Sequence, residues 1–148
     1  MSRIRIVTAW GVAISVLAML AGVSSAADTK LKATMSGTQE KPKGDPDGTG
    51  SAVLTLKARQ VCYVITVRKA GSTFAAGHVH AGKKGVAGPV FINLFTKPKK
   101  LNNGRLSGCS PTAKAADIAK VKAKPGGYYV NIHNAKYPAG AIRGQLTK

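Results

Sequence analysis

Tyr128-Tyr129-Val130-Asn131-Ile132-His133 alternates large apolar and polar side chains with a period of two. That period belongs to a half-buried β-strand, in which successive side chains point to opposite faces. Val130 and Ile132 are its natural core residues, so Tyr129, Asn131 and His133 belong to the outer face. The turn Tyr137-Pro138-Ala139-Gly140 follows, then a second extended run, Ala141 to Leu146. Together they read as a closing hairpin.

The same pattern recurs upstream. Leu31, Ala33 and Met35 alternate with lysine and threonine between Asp28 and Thr38. Ser51–Leu56 alternates again. Gln60–Val67 is rich in β-branched residues, and Phe74–His80 is a further strand broken at Gly77. Pro89–Thr96 and Arg105–Cys109 complete the set, with Lys97-Pro98-Lys99-Lys100 as a basic turn between them. One segment has helical spacing: Thr112–Ala123 places Ala115, Ile118, Ala119 and Lys122 near one face, with Ser110 or Thr112 as its cap. Pro125-Gly126-Gly127 stops it. Eight short strands with one helix predict an all-β fold, an antiparallel sandwich or barrel. Between Gln39 and Gly50 lies a polar loop. Its Asp45-Pro46-Asp47-Gly48 reads as a β-turn rather than a calcium loop, since further oxygen ligands at the right spacing are missing.

The N-terminus carries an export pattern. Arg3 and Arg5 precede an apolar stretch from Ile6 to Val23, and Ser24-Ser25-Ala26-Ala27 offers cleavage after Ala26 or Ala27. Small residues in the stretch and the site that ends it favour a cleaved signal peptide over a retained anchor. The expected organisation is therefore a signal peptide at residues 1–27 and one domain at 28–148, secreted or periplasmic, with no transmembrane segment in the mature chain. Cys62 and Cys109 are the two cysteines. In an oxidising compartment they read as one disulfide, with two buried free thiols as the alternative.

The chain has 23 Lys+Arg against 5 Asp+Glu, a formal charge of +18. Losing Arg3 and Arg5 with the signal leaves 21 against 5. Such a field attracts anionic envelope polymers or acidic surfaces; a lysine-rich surface kept for solubility is the plainer alternative. Few aromatics, little arginine and no nucleic-acid motif argue against nucleic acid as the partner.

Three histidines are present. His78 and His80 flank Val79, so if Val79 faces the core both imidazoles share the outer face, where His133 also points. If the two strands are neighbours, all three line one external surface. Three neutral imidazoles suit copper or zinc and leave a position open. The alternative is structural, with the rings bonding loop carbonyls. Glu40 and Asp117 are the candidate acidic partners. No nucleophile elbow, phosphate-binding glycine loop or carboxylate pair is present.

Taken in order, several segments resemble the CHRD (chordin-type) domain as found in small exported bacterial proteins. They are Gly48-Thr49-Gly50-Ser51-Ala52, Val61-Cys62-Tyr63, Gly77-His78-Val79-His80-Ala81-Gly82, Gly85 to Val90, Gly108-Cys109, Gly127 to His133 and Tyr137 to Leu146. The resemblance runs from about Leu31 to Leu146. Gly77 stands where the family usually has alanine, and Asn134 where it has threonine. The resemblance implies a Greek-key β-sandwich and a Cys62–Cys109 disulfide, and no established enzymatic activity. A more distant likeness to copper/zinc superoxide dismutase implies His78, His80 and His133 as copper ligands and Arg143 as an anion guide. The bridging histidine and the zinc ligands of that enzyme have no counterpart here. Two functions are thus expected: a non-enzymatic binding or envelope-associated module, or a copper-binding protein with redox or dismutase-like chemistry.

Overall fold

The computed structural model describes residues 27–148; of the expected signal peptide, all but Ala27 lies outside them. Ten strands and one helix follow in order. They are β1 (Thr29–Ser36), β2 (Thr49–Leu56), β3 (Val61–Arg68), β4 (Thr73–Phe74), β5 (Ala76–Ala81), β6 (Val90–Phe95), β7 (Lys99–Lys100), β8 (Arg105–Cys109), α1 (Ala115–Ala123), β9 (Tyr128–His133) and β10 (Ile142–Gln145).

The period-2 patterns decide which face is buried. Leu31, Ala33 and Met35 of β1 meet Leu54, Ala52 and Gly50 of β2. Those β2 residues in turn lie opposite Tyr63, Ile65 and Val67 of β3. All of these apolar side chains are buried in one core with Val79, Leu94, Val130 and Ile132. The eight long strands form one antiparallel sheet in the order β6-β5-β9-β10-β1-β2-β3-β8. The sheet curls over this core, and Tyr63 of β3 meets Phe95 of β6 at 5.7 Å between ring centroids. The chain crosses from one sheet edge to the other between β6 and β8, and returns through α1 to β9. These are the Greek-key crossings of a β-sandwich. Cys62 and Cys109 lie opposite each other on β3 and β8 and form a disulfide.

Two local expectations are corrected. The basic turn at 97–100 contains β7, which pairs with β4 as a separate two-stranded ribbon. The helix begins at Ala115, not Thr112, and its first residue follows Lys114 with no side-chain cap. Ser110 is instead drawn into the sheet, where its Oγ accepts from the Val61 N–H at 2.9 Å. The buried face of α1 is Ile118 and Val121, three apart, while Ala115 and Ala119 are exposed. The turn at 45–48 holds as read: Asp45 Oδ1 accepts from the N–H groups of Asp47 (3.2 Å) and Gly48 (3.1 Å). Among the described residues no helix is long and apolar enough to cross a membrane.

Candidate metal centre

β5 and β9 are hydrogen-bonded neighbours, so the histidines converge as the strand pleat requires. His78 lies opposite Asn131, His80 opposite Tyr129 and Ala76 opposite His133. His133 is therefore the diagonal neighbour of His78, close enough for two rings to touch. Val79, Val130 and Ile132 fill the core behind them.

The three rings offer one nitrogen each, all within 4.8 Å of one another. His78 Nδ1 is 3.0 Å from His133 Nε2. The other nitrogens fix the tautomers. His80 Nδ1 faces the Gly88 carbonyl at 2.8 Å, and His133 Nδ1 faces the Pro138 carbonyl at 2.9 Å. A carbonyl only accepts, so both Nδ1 atoms carry the hydrogen and donate it. That leaves lone pairs on both Nε2 atoms. His80 Nε2 is buried with no hydrogen-bond partner. Around His133 Nε2 stand His78 Nδ1 and, at 3.1 Å, Asn131 Oδ1. Acceptors outnumber hydrogens at this point, an arrangement a cation relieves. Burial also keeps the imidazoles uncharged. It lowers His78 to about 4, with the neighbouring His133 and His80 adding to the effect. Burial likewise lowers His80 and His133, against the hydrogen bonds to Gly88 and Pro138.

The expected external surface is partly covered, with His78 and His133 half-buried. The loop between β5 and β6 folds over it to supply the Gly88 carbonyl, and the β9–β10 turn supplies that of Pro138. His80 is left 8% exposed and Asn131 2%. Of the two family departures, the one at 134 bears on this cover, and the one at 77 lies on the opposite, core face. A Cβ on Gly77 would run into the Phe95 ring. Asn134 donates from Nδ2 to the Ala70 carbonyl (2.9 Å) and accepts from the Tyr137 N–H (2.7 Å), which shapes the turn that presents Pro138.

Of the two acids considered, Asp117 is on α1, paired with Lys120 at 3.7 Å. Glu40 reaches the polar layer. It is 2% exposed, its Oε1 has no partner, and burial raises it to about 7 against the pull of Asn131, Arg143 and the Lys41 N–H. A Cβ on Gly140 would strike its carboxylate, so the turn residue there has to be glycine. Sequence spacing gives no hint of this contact, because a lone Glu in a Pro/Gly-rich loop looks like a surface acid.

Arg143 is not among the imidazoles. Its guanidinium lies 4.1 Å from the Tyr129 ring centroid, while His80 stacks on Tyr129 at 4.9 Å and 8°. One ring face cannot hold both, and β10 and β5 flank β9 on opposite sides. Tyr129 therefore stands between Arg143 and His80.

The CHRD domain model matches residues 31–146. The chain belongs to the CHRD family. Comparison with curated proteins and with solved structures finds no match. The disulfide and the CHRD domain are both compatible with an extracellular or periplasmic protein.

Proposed function

We propose that this CHRD protein is exported and binds one copper ion through His78 Nδ1, His80 Nε2 and His133 Nε2. The observation that carries the reading is the convergence of three neutral imidazoles on one point with a buried lone pair left over. Imidazole alone suits zinc as well as copper. The distant likeness of the histidine set to that of copper/zinc superoxide dismutase favours copper. Bound copper would supply one-electron redox chemistry. The likeness to superoxide dismutase covers the three histidines and lacks the bridging and zinc ligands, so the reading is of a copper-binding protein.

Elemental analysis of protein recovered from periplasm or medium tests this. One copper per chain is expected, with affinity falling by roughly a hundredfold or more in His78→Ala and His133→Ala. Absence of binding at micromolar copper sinks the reading.

The charge supports a compatible second reading, association with anionic envelope polymers. Two of the five acids, Glu40 and Asp45, are buried, so the surface is even more one-signed than composition suggests. Retention on such polymers should fall steeply with salt; retention indifferent to ionic strength would count against it.

A further inference from the structure

Beyond the Tyr129 ring, Arg143 takes part in a second concavity. The cavity has a volume of about 220 Å³, and Thr38, Gln39, Lys41, Lys84, Arg143 and Gln145 line it. Its three cations come from separate segments: Lys41 from the β1–β2 loop, Lys84 from the β5–β6 loop and Arg143 from β10. Arg143 is buried at the base, and the exposed Lys41 and Lys84 stand at the rim.

The donors already spent show what remains. Gln39 Nε2 donates to the Thr34 carbonyl and Ser36 Oγ. Gln145 Nε2 serves the carbonyls of Gly82, Gly126 and Tyr128. Arg143 donates from Nη1 to the Val86 carbonyl at 3.1 Å and makes no other hydrogen bond among the described residues. Neither lysine has an acidic partner; the ion pair among the described residues is Lys120–Asp117. No carboxylate lines the cavity. Glu40 lies near Arg143, but its carboxylate is turned against Gly140 and Asn131. The unspent donors are thus two ammonium groups and the rest of a guanidinium. Glu40, only partly ionised at neutral pH, offsets part of the charge on Arg143 and leaves the two lysine charges unbalanced, and like charges held together this way favour a compensating anion.

We propose that this pocket binds a dianionic, phosphate-like oxyanion. A carboxylate would neutralise one charge; a phosphoryl or sulfuryl group neutralises two and presents oxygens to all three segments. The inference stands apart from the copper reading, since Tyr129 separates the two sites.

Calorimetric titration of the metal-free full-length mature chain with sulfate, inorganic phosphate and acetate at constant ionic strength tests it. Saturable binding of sulfate and phosphate is expected, with acetate weaker. Lys41→Ala/Lys84→Ala should weaken sulfate binding by roughly tenfold or more, while Lys57→Ala/Lys100→Ala, removing two exposed lysines elsewhere, should change it less than about twofold. All four lysines are exposed and none makes a recorded ion pair, so both variants should fold. A polyphosphate arm separates the sources: binding that also depends on Lys41 and Lys84 identifies a phosphate carried on a polymer, and binding of inorganic phosphate alone identifies the free anion. Equal losses in the two double variants would mean diffuse charge and overturn the proposal. So would acetate matching sulfate, or no saturation with any anion.

Discussion

Glu40 carries the clearest single-residue consequence. Its carboxyl is buried and raised from 4.5 to about 7. Between those values the folded chain holds a proton that the unfolded chain has released, so stability falls as pH rises through this window. The cost is fully developed above about pH 7 and amounts to about 3 kcal/mol. Glu40→Gln should therefore be more stable than the wild type at pH 8 by up to about that amount, and nearly equal to it at pH 4. Urea denaturation of both proteins at the two pH values checks this, and the histidine contributions cancel in the difference. A gain that is the same at both pH values would show that Glu40 is not the titrating group. Gly88 offers a second test. Its carbonyl fixes the His80 tautomer, and a Cβ there would run into the Ala81 carbonyl. Gly88→Ala should cost about 1–3 kcal/mol and weaken copper binding with it. At this scale the His78/His80 pair was legible, because period 2 alone puts both on one face. The roles of Glu40, Gly88 and Pro138 were not. They act through loops folded over the sheet, and loop closure leaves no periodic trace.

Elements were read well where a strand had one buried face and less well elsewhere. All eight long strands follow alternating or β-branched runs. The β4–β7 ribbon has two residues on each side, too few for any period to register. The helix start is not legible in the sequence because Ser110 has two possible uses, capping α1 or binding the Val61 N–H, and the sheet takes it. The disulfide yields a prediction at this scale. It ties β8 to β3 across a separation of 47 residues. Cys62→Ser/Cys109→Ser should lose about 4 kcal/mol in the chain-entropy picture. Copper affinity should barely change, because the disulfide joins β3 to β8, and neither strand pairs with β5 or β9. Thermal unfolding and copper titration of the same variant separate the two effects.

For the molecule as a whole, the Greek-key crossings bring chemistry together that is distant in sequence. β5 and β9 are separated in the chain by β6, β7, β8 and α1, yet they are paired strands, and that pairing alone brings His133 to His78. Period 2 places His133 on the outer face, but strand neighbours leave no trace in alternation. The fold supplies the neighbour and then folds two loops over the site, which no alternation pattern announces. What it builds is one polar layer with two compartments on either side of Tyr129, imidazoles on one and cations on the other. The central claim is that the imidazole compartment holds copper. Anomalous diffraction at the copper edge from crystals of the copper-loaded chain tests it most directly. One strong peak is expected at bonding distance, roughly 2.0–2.1 Å, from His78 Nδ1, His80 Nε2 and His133 Nε2; a copper peak elsewhere, or one bound by fewer than three of these nitrogens, rules out a three-histidine copper site.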